Sequence, residues 1–257
     1  MKIDRLARPR ISADEAIVIA KDCFGVSCHA TELAGERDRN FLMSSTSGEK
    51  FVLKIGNAAD NKSVIDFQNQ LLLHLSSAET KWSWPVPQSD RQGQLISQWG
   101  NDRGEELKVR LLTFIDGIFL ADFLPHSFSL MKEIGQFLGS VTKSLGSFSH
   151  PAMDRPLFWD MRNGIDLVKR HLDEIADKKR AGQVLHMVES IEEALLSVYD
   201  HLRERVIYND ANDHNLLVKC GEDGVGKLVG AIDVGDSMRS WLAAEPAVAC
   251  AYAMMNK

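Results

Sequence analysis

Val206–Val218 reads "VIYNDANDHNLLV", two apolar runs enclosing Tyr208, Asn209, Asp210, Asn212, Asp213, His214 and Asn215. The flanking runs read as buried strands, and a loop that only reverses the chain between strands needs little more than Asn-Gly. Carboxylates, amides and an imidazole packed into one short loop are instead groups that bind cations and accept protons. The plain alternative is a set of Asx-turns that close the loop and do nothing else. The continuation of the chain favours chemistry. "NLLVKCGEDGVGKLVGAIDVGD", Asn215–Asp236, reads as strand, Gly-rich turn and strand. Such a hairpin returns Asp233 to the end where Asn215 stands, so that one ion can touch both.

That constellation suits phosphoryl transfer, which asks for a carboxylate near the attacking hydroxyl, oxygen ligands for Mg²⁺ and a cation on the phosphates. Protein kinases place an Asp five residues before an Asn in one loop and a second Asp in Asp-Phe-Gly. Here Asp210 precedes Asn215 at that spacing, and Asp233 is followed by Val234-Gly235. The D-x4-N spacing is common by itself; its setting between two strands, ahead of a hairpin ending Ile-Asp-Val-Gly, makes it specific. Lys54 stands near the end of the alternating strand "KFVLKIG", as the phosphate-binding lysine of kinases does. Taken alone it reads more readily as a strand lysine reaching water, and Asp210, Asn215 and Asp233 reverse that preference. The turn "GERDRN", Gly35–Asn40, has one Gly and is no G-x-G-x-x-G. Its amides, with Arg39 beside them, can still face phosphate oxygens, though Arg37 and Arg39 standing only in solvent is the simpler reading.

The whole chain bounds the possibilities. Its 257 residues can bury a sizeable core, and 44% hydrophobic with 26% charged residues is ordinary for a soluble globular protein. A net charge of −6 argues against nucleic acid as a partner and agrees with a cationic substrate. Cys23, Cys28, Cys220 and Cys250 form neither a disulfide framework nor a CxxC pair, which points to a reduced, cytoplasmic setting. "MKIDRLARPR" has no apolar signal core, and no run approaches the length of a membrane span. "EPAVACAYAMMNK" is an apolar helical run that stops without a cap, so the natural chain is expected to continue beyond it.

Periodicity divides the chain in two. "ISADEAIVIAKDCFG" opens on a capping box, Ser12 with Glu15, and closes on Gly25. "CHATEL", "NFLMSST" and "EKFVLKIG" read as strands, the last two a hairpin turned at Thr46-Ser47-Gly48. "KSVIDFQNQLLLHLSS" reads as a helix through Ile65, Leu72 and Leu75, and "GQLISQW" and "ELKVRLLTFI" read as two more strands. Beyond Gly117 the pattern turns helical: Leu130, Ile134, Phe137, Val141 and Leu145 share one face. Residues 181–205 repeat the pattern with Val184, Val188, Ile191, Leu195, Val198 and Leu202, which predicts a core helix rather than a coiled coil. The expected class is α+β, a small antiparallel-sheet lobe over residues 1–112 and a larger, mainly helical lobe over 113–257.

With these motifs in place, the sequence resembles the aminoglycoside phosphotransferase/choline kinase-like superfamily, whose members share the two-lobed protein kinase-like fold. "AGERDRNFL", "FQNQ", "RLLTFIDG", "FWDMRN" and "NDANDHNLL" are most similar to the hydroxylysine kinase group and to kinase-like domains fused to class III aminotransferases, so a fused aminotransferase is a possible partner. The resemblance runs from about Ile11 to the last residue. It implies an ATP- and Mg²⁺-dependent phosphotransferase with Asp210 as base, Asn215 and Asp233 as metal ligands and Lys54 on the α- and β-phosphates. Adenine would lie along Leu112, Thr113, Phe114 and Ile115. The acceptor would be a small hydroxylated amine of the hydroxylysine, homoserine, choline or ethanolamine type.

The chain departs from the family pattern in three places, one being the further C-terminal helices that in the family help to wall the substrate pocket and that this sequence lacks. Tyr208-Asn209-Asp210 stands where His-Gly-Asp is usual, so that either the Tyr208 hydroxyl braces the loop or the loop is left looser. The acid expected to pair with the strand lysine is not evident, Asp66, Gln68 and Asn69 being the polar residues on the right helix and Asp66 the charged one. Asp160, Asp213 and Asp236 are candidate partners for a cationic acceptor, and Trp159 for stacking on its ammonium. Against these stand Trp159 as a core residue and Asp236 as the N-cap of a following helix. Two rival activities are a nucleotide-binding regulatory module without turnover and a metal-dependent phosphohydrolase using the carboxylates and His214.

Overall fold

Alternating residues in the first third of the chain build an antiparallel sheet; the computed structural model describes residues 8–255 apart from Glu36 and Asp223. Its strands are β1 (Cys28–Leu33), β2 (Arg39–Ser45), β3 (Lys50–Gly56), β4 (Pro87–Gln88), β5 (Ser97–Gly100) and β6 (Glu106–Thr113). They run in the order β1-β2-β3-β6-β4, with β5 also on β6. Gly48 takes φ 90° in the β2–β3 turn, a backbone that needs glycine. With a side-chain period of two, Phe41, Met43, Leu53, Ile55, Val109 and Leu111 turn to one face. There they close on α1 (Ala13–Ile19) through Ile11, Ala16 and Ile19. The Ser12–Glu15 capping box is formed, and after one wider helical turn Gly25 ends the segment at φ 74°.

The opposite parity leaves Asn40, Lys54, Gly56 and Arg110 on the other side of the sheet, registered as Asn40↔Lys54↔Arg110 across three strands. The helix on that side is α2 (Lys62–Ser77), capped by Asn61 and bounded as its sequence suggests. Its Phe67, Leu71 and Leu75 belong to a second core with Trp84, with Leu130, Phe137 and Val141 of α3 (Phe128–Ser144), and with Tyr208, Leu216 and Val218. So α2 connects the sheet to the helical part.

The remaining elements frame the polar loop between Ile207 and Leu216. The helices are α4 (Gly164–His171), α5 (Lys178–Leu196) and α6 (Ala244–Met254); the strands are β7 (Ile118–Phe119), β8 (Glu204–Ile207), β9 (Leu216–Cys220), β10 (Gly226–Ala231) and β11 (Met238–Trp241). β10-β9-β7 form one antiparallel sheet and β11-β8 another. Residues 181–205 do not form one core helix. α5 stops at Leu196, Val188 is its buried residue, and Glu204 already starts β8. α5 leans on the two-turn α4 through Lys169 and Glu192, 2.5 Å apart, while Met187 and Ile191 face solvent. Helical spacing reports a stripe, but the depth of the stripe's burial depends on what lies against it.

Candidate active site

Between β8 and β9 the chain cannot close a simple hairpin, because the two strands belong to different sheets. The loop is held by side chains instead. Asn209 takes φ 64°, a left-handed backbone that asparagine tolerates better than most residues. The Tyr208 amide donates to Oε2 of Glu245 at 2.6 Å, and the Asn209 amide approaches the same oxygen at 3.4 Å. Glu245 lies on α6 and is 1% exposed; burial pushes its carboxyl up to about 7. The fully buried Tyr208 donates its hydroxyl to the Ile232 carbonyl at 2.5 Å, and its own carbonyl accepts from Ser237 Oγ at 3.0 Å. Burial and nearby carboxylates raise this phenol well above its ordinary value, so it stays a neutral donor. Tyr208 thus ties the loop to the residue before Asp233.

Two amides frame the Asp210 carboxylate: Asn212 Nδ2 donates to Oδ1 at 2.8 Å and Asn215 Nδ2 to Oδ2 at 2.7 Å. Burial, aided by the charges of Asp236 and Asp233, pushes the Asp210 carboxyl up to about 6, against the pull of those two amides. The hairpin does return to this loop, since the Ile232 amide donates to the Asn215 carbonyl at 2.9 Å. Asp233 follows at φ 55°, its Oδ1 accepting from the Gly235 amide at 2.8 Å. Its Oδ2 lies 3.5 Å from Lys54 Nζ, and that ammonium holds the carboxyl below its usual range. Asp210, Asn215, Asp233 and Lys54 are therefore gathered at one end of the loop, where sheet and helices meet.

Other candidates fall at varying distance from this cluster. Gln68 accepts from Arg110 Nη2 at 2.9 Å. Asp66 is turned away to His150 Nε2, at 3.2 Å. Arg39 pairs with Glu32 at 2.9 Å and bonds the Ile11 carbonyl, on the α1 side of the sheet. Along Leu112–Ile115, the Thr113 and Phe114 amides donate to the Val86 and Lys50 carbonyls. Asp213 follows the loop with its carbonyl bonded to the Ala121 amide, and its side chain borders a cavity of 640 Å³. Leu138, Ala249, Tyr252 and Glu245 also line that cavity, which is mainly apolar.

Asp236 accepts the Asn209 side-chain amide at its carbonyl and lies 4.0 Å from Arg37; it precedes β11, so it caps no helix. Trp159 is not a core residue: it is 59% exposed and leans edge-on against Phe158. Asp160 is buried and spent on structure, with Arg162 at 2.7 Å and Ser240 Oγ donating at 2.7 Å. Burial alone would raise its carboxyl, and these partners hold it below its usual value. Sequence reasoning missed Glu245, Arg110 and Asp38, the last 3.4 Å from Lys54. A lone acid in the apolar run "EPAVACAYAM" was the available signal for Glu245.

The model of the phosphotransferase enzyme family (APH) matches residues 29–257. Hydroxylysine kinase of Mus musculus is 25% identical, over 97% of this chain and 71% of that protein. The Danio rerio protein of the same name is 26% identical, over 97% and 72%. Among solved structures, a microcompartment-associated aminopropanol kinase superposes with a TM-score of 0.69 at 15% identity, covering 93% of this chain and 74% of that one. Amicoumacin kinase, in complex with AMP-PNP, Ca²⁺ and its ligand, gives 0.64 at 15% identity over 93% and 68%. These likenesses carry the two-lobed kinase-like fold. The family match extends over most of the chain, and the chain belongs to the phosphotransferase enzyme family, as a small-molecule kinase.

Proposed function

We propose that this kinase moves the γ-phosphoryl group of ATP to the hydroxyl of a small hydroxylated amine or amino acid. The observation that carries the reading is the Asp210 carboxylate, aligned by the Asn212 and Asn215 amides on a loop pinned beside Asp233 and Lys54. A carboxylate held in this way can accept the proton of an attacking hydroxyl, and a pKa raised toward 6 makes it a better base than a free aspartate.

The donor set fits a hard divalent cation. Asn215 spends its amide nitrogen on Asp210, which leaves Oδ1 as the atom it can offer a cation, and Asp233 offers a carboxylate kept ionised by Lys54. Among the described residues no three His, Cys, Asp or Glu side chains gather round a point, so Mg²⁺ there would take its other ligands from phosphate and water. Bound in that way, the ion would neutralise charge on the transferred group. Lys54 would hold the phosphates. With the Thr113 and Phe114 amides engaged, the purine would be read at Ile115. In this reading residues 1–112 hold the nucleotide, and residues 113–257 carry the base and the acceptor.

For the acceptor, Asp236, whose charge acts on Asp210, and Asp213, three residues further along the loop, favour a cationic alcohol. The names of the relatives agree, hydroxylysine and aminopropanol both being amines that carry a hydroxyl. Arg39, Asp66 and Asp160 are engaged elsewhere and are left out of this reading, while the exposed Trp159 stays a candidate for stacking on the ammonium. The reduced thiols and the need for ATP fit a cytoplasmic setting, and no helix among the described residues is long and apolar enough to cross a membrane.

The test is ADP release over a panel of amino alcohols and hydroxy amino acids, with ATP and then GTP as donor. Asp210→Ala should lower turnover by about 10²–10⁴-fold while nucleotide still binds. Asp233→Ala should remove the tightening of nucleotide binding by Mg²⁺. Full activity in folded Asp210→Ala, or Mg²⁺-dependent affinity unchanged in Asp233→Ala, refutes the corresponding assignment.

A further inference from the structure

Lys54 sits on the face of the sheet that looks toward α2, yet α2 offers it no carboxylate. Gln68 and Asn69 accept from Arg110 instead, at 2.9 and 3.1 Å, and Asp66 is turned to His150. Arg110 is 5% exposed and sits directly across from Lys54 in the β3–β6 register. A guanidinium so deeply buried needs an anion as well as neutral acceptors. The anion is Asp38, just before β2, whose Oδ2 lies 3.9 Å from Arg110 Nη2 and 3.4 Å from Lys54 Nζ. Asp38 lies in the bend that leads into β2, close enough to reach both cations of this pair.

We propose that Asp38 is the positioning residue for Lys54, and that Arg110 is the link by which α2 holds Asp38 in place. The chain of contacts runs from Gln68 and Asn69 through Arg110 and Asp38 to Lys54, and from there to Asp233. A lysine is a compact charge on a flexible stem, and anchoring it from two sides confines the ammonium. Asp38 holds Lys54 from the sheet and Asp233 holds it from the hairpin end. The anchor that the helix lacks is carried by the segment leading into β2, so the lysine is tied to the nucleotide-side edge of the sheet. Asp60 stands nearby, its Oδ2 accepting from the Asn57 amide at 2.6 Å, which commits it to its own turn.

This proposal rests on the reading of Lys54 as a phosphate ligand, and the test separates the two. MgATP affinity is measured by calorimetry on the full chain for wild type, Asp38→Asn, Lys54→Met, the double variant and Asp38→Glu, after each is checked for a cooperative thermal transition. Asp38→Asn is expected to weaken binding about tenfold, and the double variant to bind no worse than Lys54→Met alone, the mark of residues acting through one another. Asp38→Glu should recover most of the loss. Should Asp38→Asn unfold, Asp38→Glu against Lys54→Met carries the same comparison. If the two losses multiply, Asp38 is merely structural and the proposal fails. It fails equally if Asp38→Asn binds as wild type while Lys54→Met does not. If Lys54→Met binds as well as wild type, the phosphate role of Lys54 is wrong and the proposal falls with it.

Discussion

Glu245 gives the most direct physical test of how the Tyr208–Asn215 loop is held. Its Oε2 accepts the Tyr208 amide, and its Oε1 is buried with no hydrogen-bond partner among the described residues. Burial lifts the carboxyl from its unfolded value of 4.5 to about 7 in the fold. An acid whose folded pKa is raised binds its proton more tightly when folded. Its stability contribution is therefore full below the unfolded value and is lost as pH climbs through the folded one. Between pH 5 and pH 8.5 the wild type should lose roughly 2.5 kcal/mol from this one group. Glu245→Gln keeps a carbonyl oxygen for the Tyr208 amide and cannot ionise, so it escapes that loss. For a chain of this size the difference corresponds to about 5–10 °C in Tm. Thermal denaturation of both proteins across that range should show the Gln variant gaining steadily on wild type as pH rises. Parallel Tm curves would mean that Glu245 is an ordinary ionised acid in the fold, and the account of its buried, half-partnered carboxyl would be wrong.

Two further outcomes concern the same region. Tyr208→Phe leaves the Ile232 carbonyl without its donor and should cost about 1–3 kcal/mol of stability, read as a lower Tm, together with several-fold weaker MgATP binding through the loosened Asp233 segment. If affinity holds while Tm falls, the tyrosine braces the core but not the site. Gly230→Ala places a Cβ 2.0 Å from the Ser83 carbonyl oxygen, a backbone atom that cannot swing aside. This change should abolish soluble expression or lower Tm by more than any other substitution named here, and a normal melting curve would contradict the packing of Ser83 on β10.

The legibility of the chain depends on the range of the interactions. The capping box of α1, the β2–β3 hairpin with Gly48 and both ends of α2 depend on neighbours in sequence, and local pattern was enough for them. The loop from Tyr208 to Asn215 was readable because its composition makes no sense as a turn. Asp38 and Arg110 escaped notice because their meeting depends on the register of β6 against β3, set by strands far apart in the chain. The alternative of Trp159 as a core residue and the long α5 went astray for a different reason. Apolar character was read as depth, whereas exposure is decided by which element arrives to cover the residue. Asp160 has the chemistry of a ligand for an ammonium, but Arg162 and Ser240 consume both its oxygens.

The convergence of Asn215 and Asp233 depends on one irregularity that no periodic reading contains. β10 pairs with β9 as Gly226↔Cys220 through Leu228↔Val218, then resumes as Gly230↔Leu217 and Ala231↔Leu216. Val229 is thus an extra residue, and its carbonyl accepts from the Ser83 amide at 2.9 Å. The bulge brings Ile232, rather than Ala231, opposite Asn215, in keeping with the Ile232 amide bonding the Asn215 carbonyl. A one-residue change of register moves every later side chain to the opposite face. Without the bulge Asp233 would sit one step further along and turn away from Lys54. Ser83 therefore acts on the site from a distance: it approaches β10 where Gly230 has no Cβ, holds the bulge, and so sets which face of the strand end carries the carboxylate.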